Sequence, residues 1–371
     1  MQKRTSARIL RRGIIKNYEY IRGLLSPGCE LMAVVKADAY GHGAAEVARL
    51  LASRGAGRFA VASLEEALEL REAGVGEEIL ILGSVFETDA RLAAEYNLVV
   101  TVSGAKQALS LARAAGDILR VHVKLDTGMS RSGIYCHNAD DTSEAADECE
   151  KIYRSPLLSA EGIYTHFCVA ETDPEFTERQ FRRFTDVCSE LQSRGICVGT
   201  RHCCNSAGIL LYPQYHLDMV RAGIALYGYM PSPEMENPNL KKCMVLESSV
   251  SQVKDIKAGD TVGYARSFTA EHDMRIAVVS IGYGDGYSRL LSNKDSLLVN
   301  GRSARVLGKI CMDSCMIDVS DVPCHAGDTV VVFGTDGKDA DTVAEIMGTI
   351  SYEVLCDVGK RVPRIYDDAD V

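Results

Sequence analysis

A lysine follows an apolar segment of the chain at a position where it could act as a nucleophile. Residues 31–35 (LMAVV) predict a short buried β-strand, and Lys36 stands at its C-terminal end. An amine at the mouth of a buried strand loses hydration, which lowers its pKa and makes it nucleophilic, as Schiff-base chemistry requires. A second interpretation stays open, because most lysines at strand ends extend their ammonium group into solvent.

The turn after this lysine favours a ligand site. Residues 40–43 read YGHG, in which Gly41 and Gly43 let the backbone approach a ligand closely. Tyr40 adds a hydroxyl group that can bind an anion. A helix is predicted to begin at Ala44, so the lysine, the turn and the helix form one continuous unit.

The composition restricts the classes of protein to which the chain can belong. Its 371 residues are 46% hydrophobic and 25% charged, as in a globular chain large enough for two domains. The formal net charge of -10 argues against a nucleic-acid partner, since no basic stripe is present. No apolar run reaches the length of a membrane span, and no signal-peptide core follows Met1. We therefore expect a cytoplasmic protein with no membrane segment in this chain.

The 13 cysteines are an odd number and form no repeating C-x-x-C pattern. They lie within apolar strands or singly in helices, which is typical of buried thiols in a reducing cytosol. The pair Cys203-Cys204 and the segment 311–315 match no strong zinc signature. We expect no metal site.

Short β-segments alternate with amphipathic helical segments, such as 64–73 and 174–193, through the first two-thirds of the chain. This regular alternation predicts a parallel (β/α)8 barrel of the TIM type, with a doubly wound sheet as the alternative. The predicted strands are 31–36, 59–63, 79–83, 98–102, 120–125, 162–167, 200–205 and 220–227.

A second, smaller domain is predicted after the proline-containing linker 231–238. Short β-segments separated by turns indicate a β-rich fold, interrupted by one helix at 342–347. We place the two domains at 1–230 and 231–371. The predicted strands of the second domain are 248–254, 275–281, 296–299, 315–319 and 329–333.

Polar residues stand near the C-terminal ends of several barrel strands, where TIM-type barrels form their active sites. A single histidine on an apolar strand is usually a core residue, but several polar groups that converge on one end of a barrel indicate a site. These residues are Lys36, Lys124, Arg131, His166, His202, Asn205, Ser206 and Arg221.

The segment 33–43 (AVVKADAYGHG) resembles the lysine motif of the alanine racemase family, which uses pyridoxal 5'-phosphate (PLP). Matching segments continue almost to the C-terminus. The resemblance implies that Lys36 binds PLP and that the protein interconverts L- and D-alanine by a two-base mechanism, supplying D-alanine for cell-wall synthesis. Lys36 would be the base for the D-substrate and Tyr264, in the segment 262–268, the base for the L-substrate.

The resemblance also assigns the residues around the cofactor. His166 and His202 would line it, and Arg221 would face the pyridine nitrogen. Because an arginine keeps its proton, that nitrogen would stay unprotonated, which weakens PLP as an electron sink and disfavours transamination. The phosphate would be held by Tyr40, Asn205, Ser206, Gly223 and Ile224. Read without the motif, Ser206 is equally well explained as a helix N-cap.

The substrate site and the assembly follow from the same resemblance. Arg131 would contact the substrate carboxylate, and Lys124 matches a lysine that is often carbamylated. Met312 and Tyr352 would line the substrate pocket. In the family, Tyr264 and Met312 complete the site of a partner subunit, which implies a homodimer with shared active sites.

Two alternatives remain open at this point. One is a serine racemase of the glycopeptide-resistance type, although Tyr352 looks more like the alanine enzymes. The other is a non-catalytic PLP-binding barrel protein, against which the β-rich second domain and Tyr264 argue. The chain departs from the family in its opening strand, which lacks a tryptophan, and in Glu171 and Lys309 near the site entrance.

Overall fold

The computed structural model describes residues 4–232, 234–335 and 337–368. These residues form two compact units. The barrel unit comprises residues within 15–39 and 44–240, and the β unit comprises residues within 1–14, 40–43 and 241–371. The division predicted from the sequence differs in that it placed 1–14 and 40–43 with the barrel and 231–240 with the second domain.

The described residues contain strands, helices and short 3-10 helices. The strands are β1 (Thr5–Leu10), β2 (Glu30–Val34), β3 (Arg58–Val61), β4 (Glu78–Ile81), β5 (Val99–Val102), β6 (Leu119–Asp126), β7 (Ile134–Tyr135), β8 (Leu158–Tyr164), β9 (Thr200–His202), β10 (Met219–Ala222), β11 (Met244–Ile256), β12 (Thr261–Val262), β13 (Phe268–Thr269), β14 (Met274–Val279), β15 (Ser296–Val299), β16 (Arg302–Leu307), β17 (Cys315–Asp318), β18 (Thr329–Phe333) and β19 (Arg364–Asp367). The helices are α1 (Arg11–Gly23), α2 (Lys36–Tyr40), α3 (Ala44–Ala52), α4 (Leu64–Glu72), α5 (Glu87–Glu95), α6 (Ala105–Ala115), α7 (Thr142–Tyr153), α8 (Pro174–Ser193), α9 (Ser206–Leu211), α10 (Ala340–Met347) and α11 (Ser351–Cys356). The 3-10 helices are Ala139–Asp141, Pro213–Tyr215, Ile224–Tyr227, Tyr264–Arg266, Tyr283–Asp285 and Arg289–Leu291.

The barrel unit is built on one parallel sheet with the strand order β10-β2-β3-β4-β5-β6-β8-β9. Two backbone hydrogen bonds join its ends, from Asp218 N to Arg201 O at 3.2 Å and from Arg221 N to Cys204 O at 3.0 Å. The strands are buried because helices cover the sheet between successive strands, which explains their nearly continuous apolar sequences. The predicted (β/α)8 barrel is confirmed.

All eight predicted barrel strands are present, and their ends differ modestly from the prediction. The largest difference concerns 220–227, where the strand ends at Ala222 and a 3-10 helix, Ile224–Tyr227, follows. Gly223 separates the two with φ -109° and ψ -107°, a conformation outside the strand region. The predicted helices at 64–73 and 174–193 correspond to α4 and α8.

The β unit is organised on the long strand β11. A register shift between Val250 and Gln252 lets its first half pair with β1 and β18 and its second half pair with β14. The strand order is β14-β17-β16-β15-β18-β11-β1-β19. The predicted β-rich fold is confirmed, although β12, β13, β16, β19 and α11 were not among the predicted elements. β1 forms without the family's tryptophan because neighbouring strands pair with both of its edges.

A buried carboxylate ties the N-terminal segment to the rest of the β unit. Asp285 is fully buried and accepts two hydrogen bonds from Arg4, at 2.8 and 2.9 Å, and one from Arg361 Nε at 2.8 Å. The backbone N–H of Gly282 donates a further bond at 2.9 Å. Burial raises the pKa of Asp285, but these hydrogen bonds outweigh it, so the pKa lies below that of a free aspartate.

We expect Asp285→Asn to lower the free energy of unfolding at pH 7 by about 3 kcal/mol, because it removes the buried anion that the two guanidinium groups share and leaves them only the exposed Asp313. The carboxylate stabilises the fold above the unfolded-state pKa of about 4 and loses this effect as the pH falls through the lower folded-state pKa. The difference between wild type and variant in urea unfolding should therefore shrink toward pH 3.

Asp273→Asn is the matched control, because Asp273 forms an exposed ion pair with Lys257. The decrease in the free energy of unfolding caused by Asp273→Asn should be much smaller at every pH. A stability difference for Asp285→Asn that is the same at pH 7 and pH 3 would contradict the assignment of a stabilising carboxylate.

Candidate active site

Lys36 begins a single left-handed turn rather than the start of an ordinary helix. Val35 still donates its N–H to Ala60 O at 2.9 Å, so strand geometry persists up to that residue. Ala37, Asp38 and Ala39 then have φ values of 51°, 53° and 54°. Left-handed backbone costs a non-glycine residue about 1–2 kcal/mol, so this turn stores strain directly beside the lysine.

Two carboxylates hold the strained turn in place. Glu66 accepts the N–H of Ala37 at 2.6 Å, and Asp38 accepts the N–H of Ala44 at 2.8 Å. The predicted start of a helix at Ala44 is confirmed by α3. The sequence analysis placed the turn at 40–43 and did not identify its left-handed beginning or the role of Glu66, since neither has a local sequence signature.

Arg221 is the centre of a buried polar cluster in the barrel unit. The side chain is 3% exposed, and its NH1 donates to His202 Nδ1 at 2.8 Å. Its NH2 donates to His166 Nδ1 at 3.2 Å and to Thr165 O at 2.8 Å. Burial and the charge of Arg221 hold the pKa of both imidazoles well below the usual value, so both rings are neutral acceptors.

The first turn of α9 collects further polar groups. Asn205 is the N-cap, because its side-chain oxygen accepts Gly208 N at 3.0 Å, so the interpretation of Ser206 as the N-cap is wrong. Ser206 instead turns its hydroxyl toward the segment after β10, where it accepts Gly223 N at 3.1 Å and Ala225 N at 3.3 Å. With its oxygen accepting these two N–H groups, the hydroxyl of Ser206 keeps its own hydrogen to donate to an anion.

Lys124 lies in the same part of the barrel unit, in register with Tyr164 and His202 on neighbouring strands. Its side chain is 4% exposed and donates to Ser132 Oγ at 2.6 Å. Burial, followed by the charges of Arg131 and Arg221, lowers the pKa of Lys124 to about 8. A neutral fraction of the amine is therefore present near neutral pH, as chemical modification of the nitrogen requires.

Asp126 shapes the loop that carries Arg131. Its Oδ1 accepts the N–H groups of Gly128, Met129 and Ser130 at 3.1, 3.0 and 3.0 Å. Arg131 follows this turn and is exposed. The sequence analysis did not single out Asp126, although an aspartate directly before Thr-Gly is a recognisable turn signal.

The remaining predicted site residues belong to the β unit. The rings of Tyr40 and Tyr352 lie 6.0 Å apart between centroids. Tyr264 is 66% exposed on a short 3-10 turn, at the edge of a depression of about 460 Å³. Met312 is 52% exposed, and its carbonyl accepts N–H groups from Gly284 at 2.9 Å and from Arg361 at 3.2 Å.

The structure thus brings most predicted residues into two groups. The barrel unit clusters His166, His202, Arg221 and Lys124 and, beside them in the chain, Asn205, Ser206, Gly223 and Ile224. The β unit brings Tyr40 beside Tyr352. No helix in the described part of the chain has the length and hydropathy needed to cross a bilayer.

Comparisons with known proteins identify relatives along the whole chain. Residues 10–231 match the family model for the alanine racemase N-terminal domain, and residues 243–366 match the model for the C-terminal domain. The alanine racemase of Desulforamulus reducens is 43% identical over 359 residues, which cover 94% of this chain and 95% of that protein. The alanine racemase of Desulfovibrio desulfuricans is 42% identical over 356 residues, covering 94% of each.

Solved structures show the same similarity. The alanine racemase of Clostridium difficile 630 superposes with a TM-score of 0.94 at 34% identity, covering 99% of this chain and 96% of that chain. The alanine racemase of Bacillus anthracis with bound L-Ala-P superposes with a TM-score of 0.92 at 33% identity and the same coverage.

We expect Ala37→Gly to raise the free energy of unfolding by up to about 1 kcal/mol, because glycine adopts the left-handed conformation without strain. Ala37 is exposed, so the change removes no packing. The matched control is Ala94→Gly within the right-handed helix α5, which should lower the same quantity by about 1 kcal/mol. Chemical unfolding measures both. A stability loss for Ala37→Gly equal to that of the control would contradict the left-handed turn.

Proposed function

Because the chain belongs to the alanine racemase family, we propose that it interconverts L- and D-alanine with PLP as cofactor. We propose further that it works in the cytoplasm and supplies D-alanine for cell-wall synthesis. The observation that carries the proposal is the buried Arg221 between two neutral imidazoles, in a chain that matches both family domains. An arginine at that position favours racemisation over the other reactions that PLP supports.

The residues of the barrel unit fit PLP. Among the described residues, Arg221 Nε donates no hydrogen bond, whereas NH1 and NH2 are fully engaged, so one N–H of the guanidinium remains for the pyridine nitrogen. Ser206, with the N–H groups that converge on its hydroxyl, suits a phosphate. We propose that Lys36 binds the cofactor covalently and that His166 and His202 line it. The phosphate contacts would be Tyr40, Asn205, Ser206, Gly223 and Ile224.

Arg221 is the residue that would set the outcome of the reaction. PLP, when bound, would supply an electron-withdrawing group that acidifies the Cα–H bond of the substrate. Arg221 would donate a hydrogen bond toward the pyridine nitrogen without giving up its proton, because a guanidinium stays protonated throughout the accessible pH range. An arginine in this role would therefore favour return of the proton to Cα and disfavour transamination.

Two bases are needed for racemisation, one on each face of Cα. We propose Lys36 for the D-substrate and Tyr264 for the L-substrate. The ordinary pKa of tyrosine is about 10, so Tyr264 needs a neighbouring acceptor or cation to work near neutral pH. Tyr264 and Met312 are large side chains that are 66% and 52% exposed, which supports the proposal that they act on the site of a partner subunit in a homodimer.

We propose that Arg131 binds the substrate carboxylate and that Met312 and Tyr352 border the side-chain pocket. Carbamylation of Lys124 would replace a cation by an anion and turn its repulsion of Arg131 into attraction. The lowered pKa of Lys124 supports this modification, since the neutral amine is the reactive form.

The decisive experiment combines activity with chemical mapping. Purified protein should racemise L-alanine faster than L-serine, and borohydride reduction followed by peptide mapping should place the cofactor on Lys36. Lys36→Ala is the control and should show neither racemisation nor a reduced cofactor adduct. A cofactor adduct on another lysine would contradict the site, and faster turnover of serine would identify a serine racemase. Cofactor binding without racemisation of either amino acid would indicate a non-catalytic barrel protein.

The shared site can be tested by mixing subunits. Lys36→Ala and Tyr264→Ala should each be inactive as homodimers, because each lacks one base. After subunit exchange, a heterodimer of the two variants should regain one intact site. The expected recovery is about half of the wild-type rate per heterodimer, measured as racemisation of L-alanine. Verified exchange without recovered activity would mean that Tyr264 does not serve a partner.

A further inference from the structure

His122 is a buried histidine that the site described above does not use. It lies on β6 two residues before Lys124, so both side chains project from the same face of the strand. Its exposure is 0%, and its Nδ1 lies 2.9 Å from His202 Nε2. The other nitrogen of His202 faces Arg221. His122 therefore ends a chain of three side chains that begins at the guanidinium.

The direction of each hydrogen bond in this chain follows from the chemistry of its members. Arg221 has only donors, so His202 Nδ1 must carry a lone pair. A neutral imidazole keeps one proton, and burial together with Arg221 keeps His202 neutral, so that proton is on Nε2. His202 Nε2–H then donates to His122 Nδ1. Burial, with Arg58 as the next cause, lowers the pKa of His122 to about 3, so His122 is also neutral and protonated at Nε2.

The surroundings of His122 indicate more than packing. Within the described residues, its Nε2 has no hydrogen-bond partner, although a buried unpaired N–H is unfavourable. An apolar side chain would fill the space without that cost. The opposing residue is Gly162, where a Cβ atom would lie 2.7 Å from His122 Cε1 and 2.8 Å from its Nε2. The glycine on β8 makes room for the imidazole to reach His202.

We propose that His122 is a positioning residue that accepts a hydrogen bond from His202 Nε2–H at its Nδ1 and so keeps Nδ1 of His202 directed at Arg221. Tyr164 stacks on the face of His202, with ring centroids 4.7 Å apart, so the ring is held on its face by Tyr164 and at its edges by Arg221 and His122. Without the acceptor at His122, the His202 ring can turn, and the guanidinium loses its fixed direction. The inference rests on the proposed function only for the part that Arg221 has in the reaction.

The first test observes the hydrogen bond itself. Protein as purified, labelled with 15N-histidine, should show both imidazoles as neutral Nε2–H tautomers and a scalar coupling between His202 Nε2 and His122 Nδ1. This measurement does not require racemisation, so it decides the geometry even if the proposed activity fails. A His202 ring protonated at Nδ1, or no coupling between the two nitrogens, would overturn the proposal.

The second test compares two variants of similar size. His122→Asn keeps an acceptor near the position of Nδ1, and His122→Leu has none. Loss of one buried hydrogen bond corresponds to about tenfold in rate, so His122→Leu should lower kcat/KM for alanine by about tenfold, and His122→Asn should stay within about threefold of wild type. The absorption spectrum of bound PLP should change in His122→Leu alone.

Thermal unfolding of each variant separates positioning from folding. His122→Leu should keep a melting temperature close to that of wild type, because the unpaired Nε2–H that it removes offsets the His202 Nε2–H that it leaves without an acceptor. If His122→Leu does not fold, His122→Phe takes its place. Wild-type kinetics in His122→Leu, or equal losses in His122→Asn and His122→Leu, would overturn the positioning role.

Discussion

The buried guanidinium of Arg221 is the constraint on which the barrel site depends. A cation that is 3% exposed must be surrounded by acceptors, because leaving its N–H groups unpaired would be strongly unfavourable. The structure supplies Nδ1 of His166 and His202 and carbonyl oxygens of Thr165, His202 and Cys203. The charge also keeps the imidazoles neutral, so one side chain determines the protonation of its neighbours.

The register of the parallel strands places three side chains of the site at the same level of the sheet. Lys124, Tyr164 and His202 are directly paired across β6, β8 and β9, so their side chains leave the sheet at one height. His122 is one step lower, level with Gly162. The barrel thereby places a layer that contains His122 beneath a layer that contains Lys124, Tyr164 and His202. A rigid sheet fixes such distances more closely than a loop can.

Each unit contains strained backbone or buried charge beside residues that we propose for the site. In the barrel unit, the left-handed turn after Lys36 is held by hydrogen bonds to Glu66 and from Ala44. In the β unit, Arg361 bonds both Asp285 and the carbonyl of Met312, so the buried carboxylate fixes the segment that carries Met312. Both sets of hydrogen bonds immobilise backbone that would otherwise be free to move.

The sequence by itself determined the eight barrel strands, the β-rich second part and the family, because these depend on local apolar periodicity and on short motifs such as residues 33–43. The tertiary structure alone decided features that depend on distant partners. Arg4 meets Asp285 across 281 positions, and His122 meets His202 across 80. Neither pair has a local signature. The left-handed turn and the pairing of β1 within the β unit likewise follow from contacts that form only when distant segments pack together.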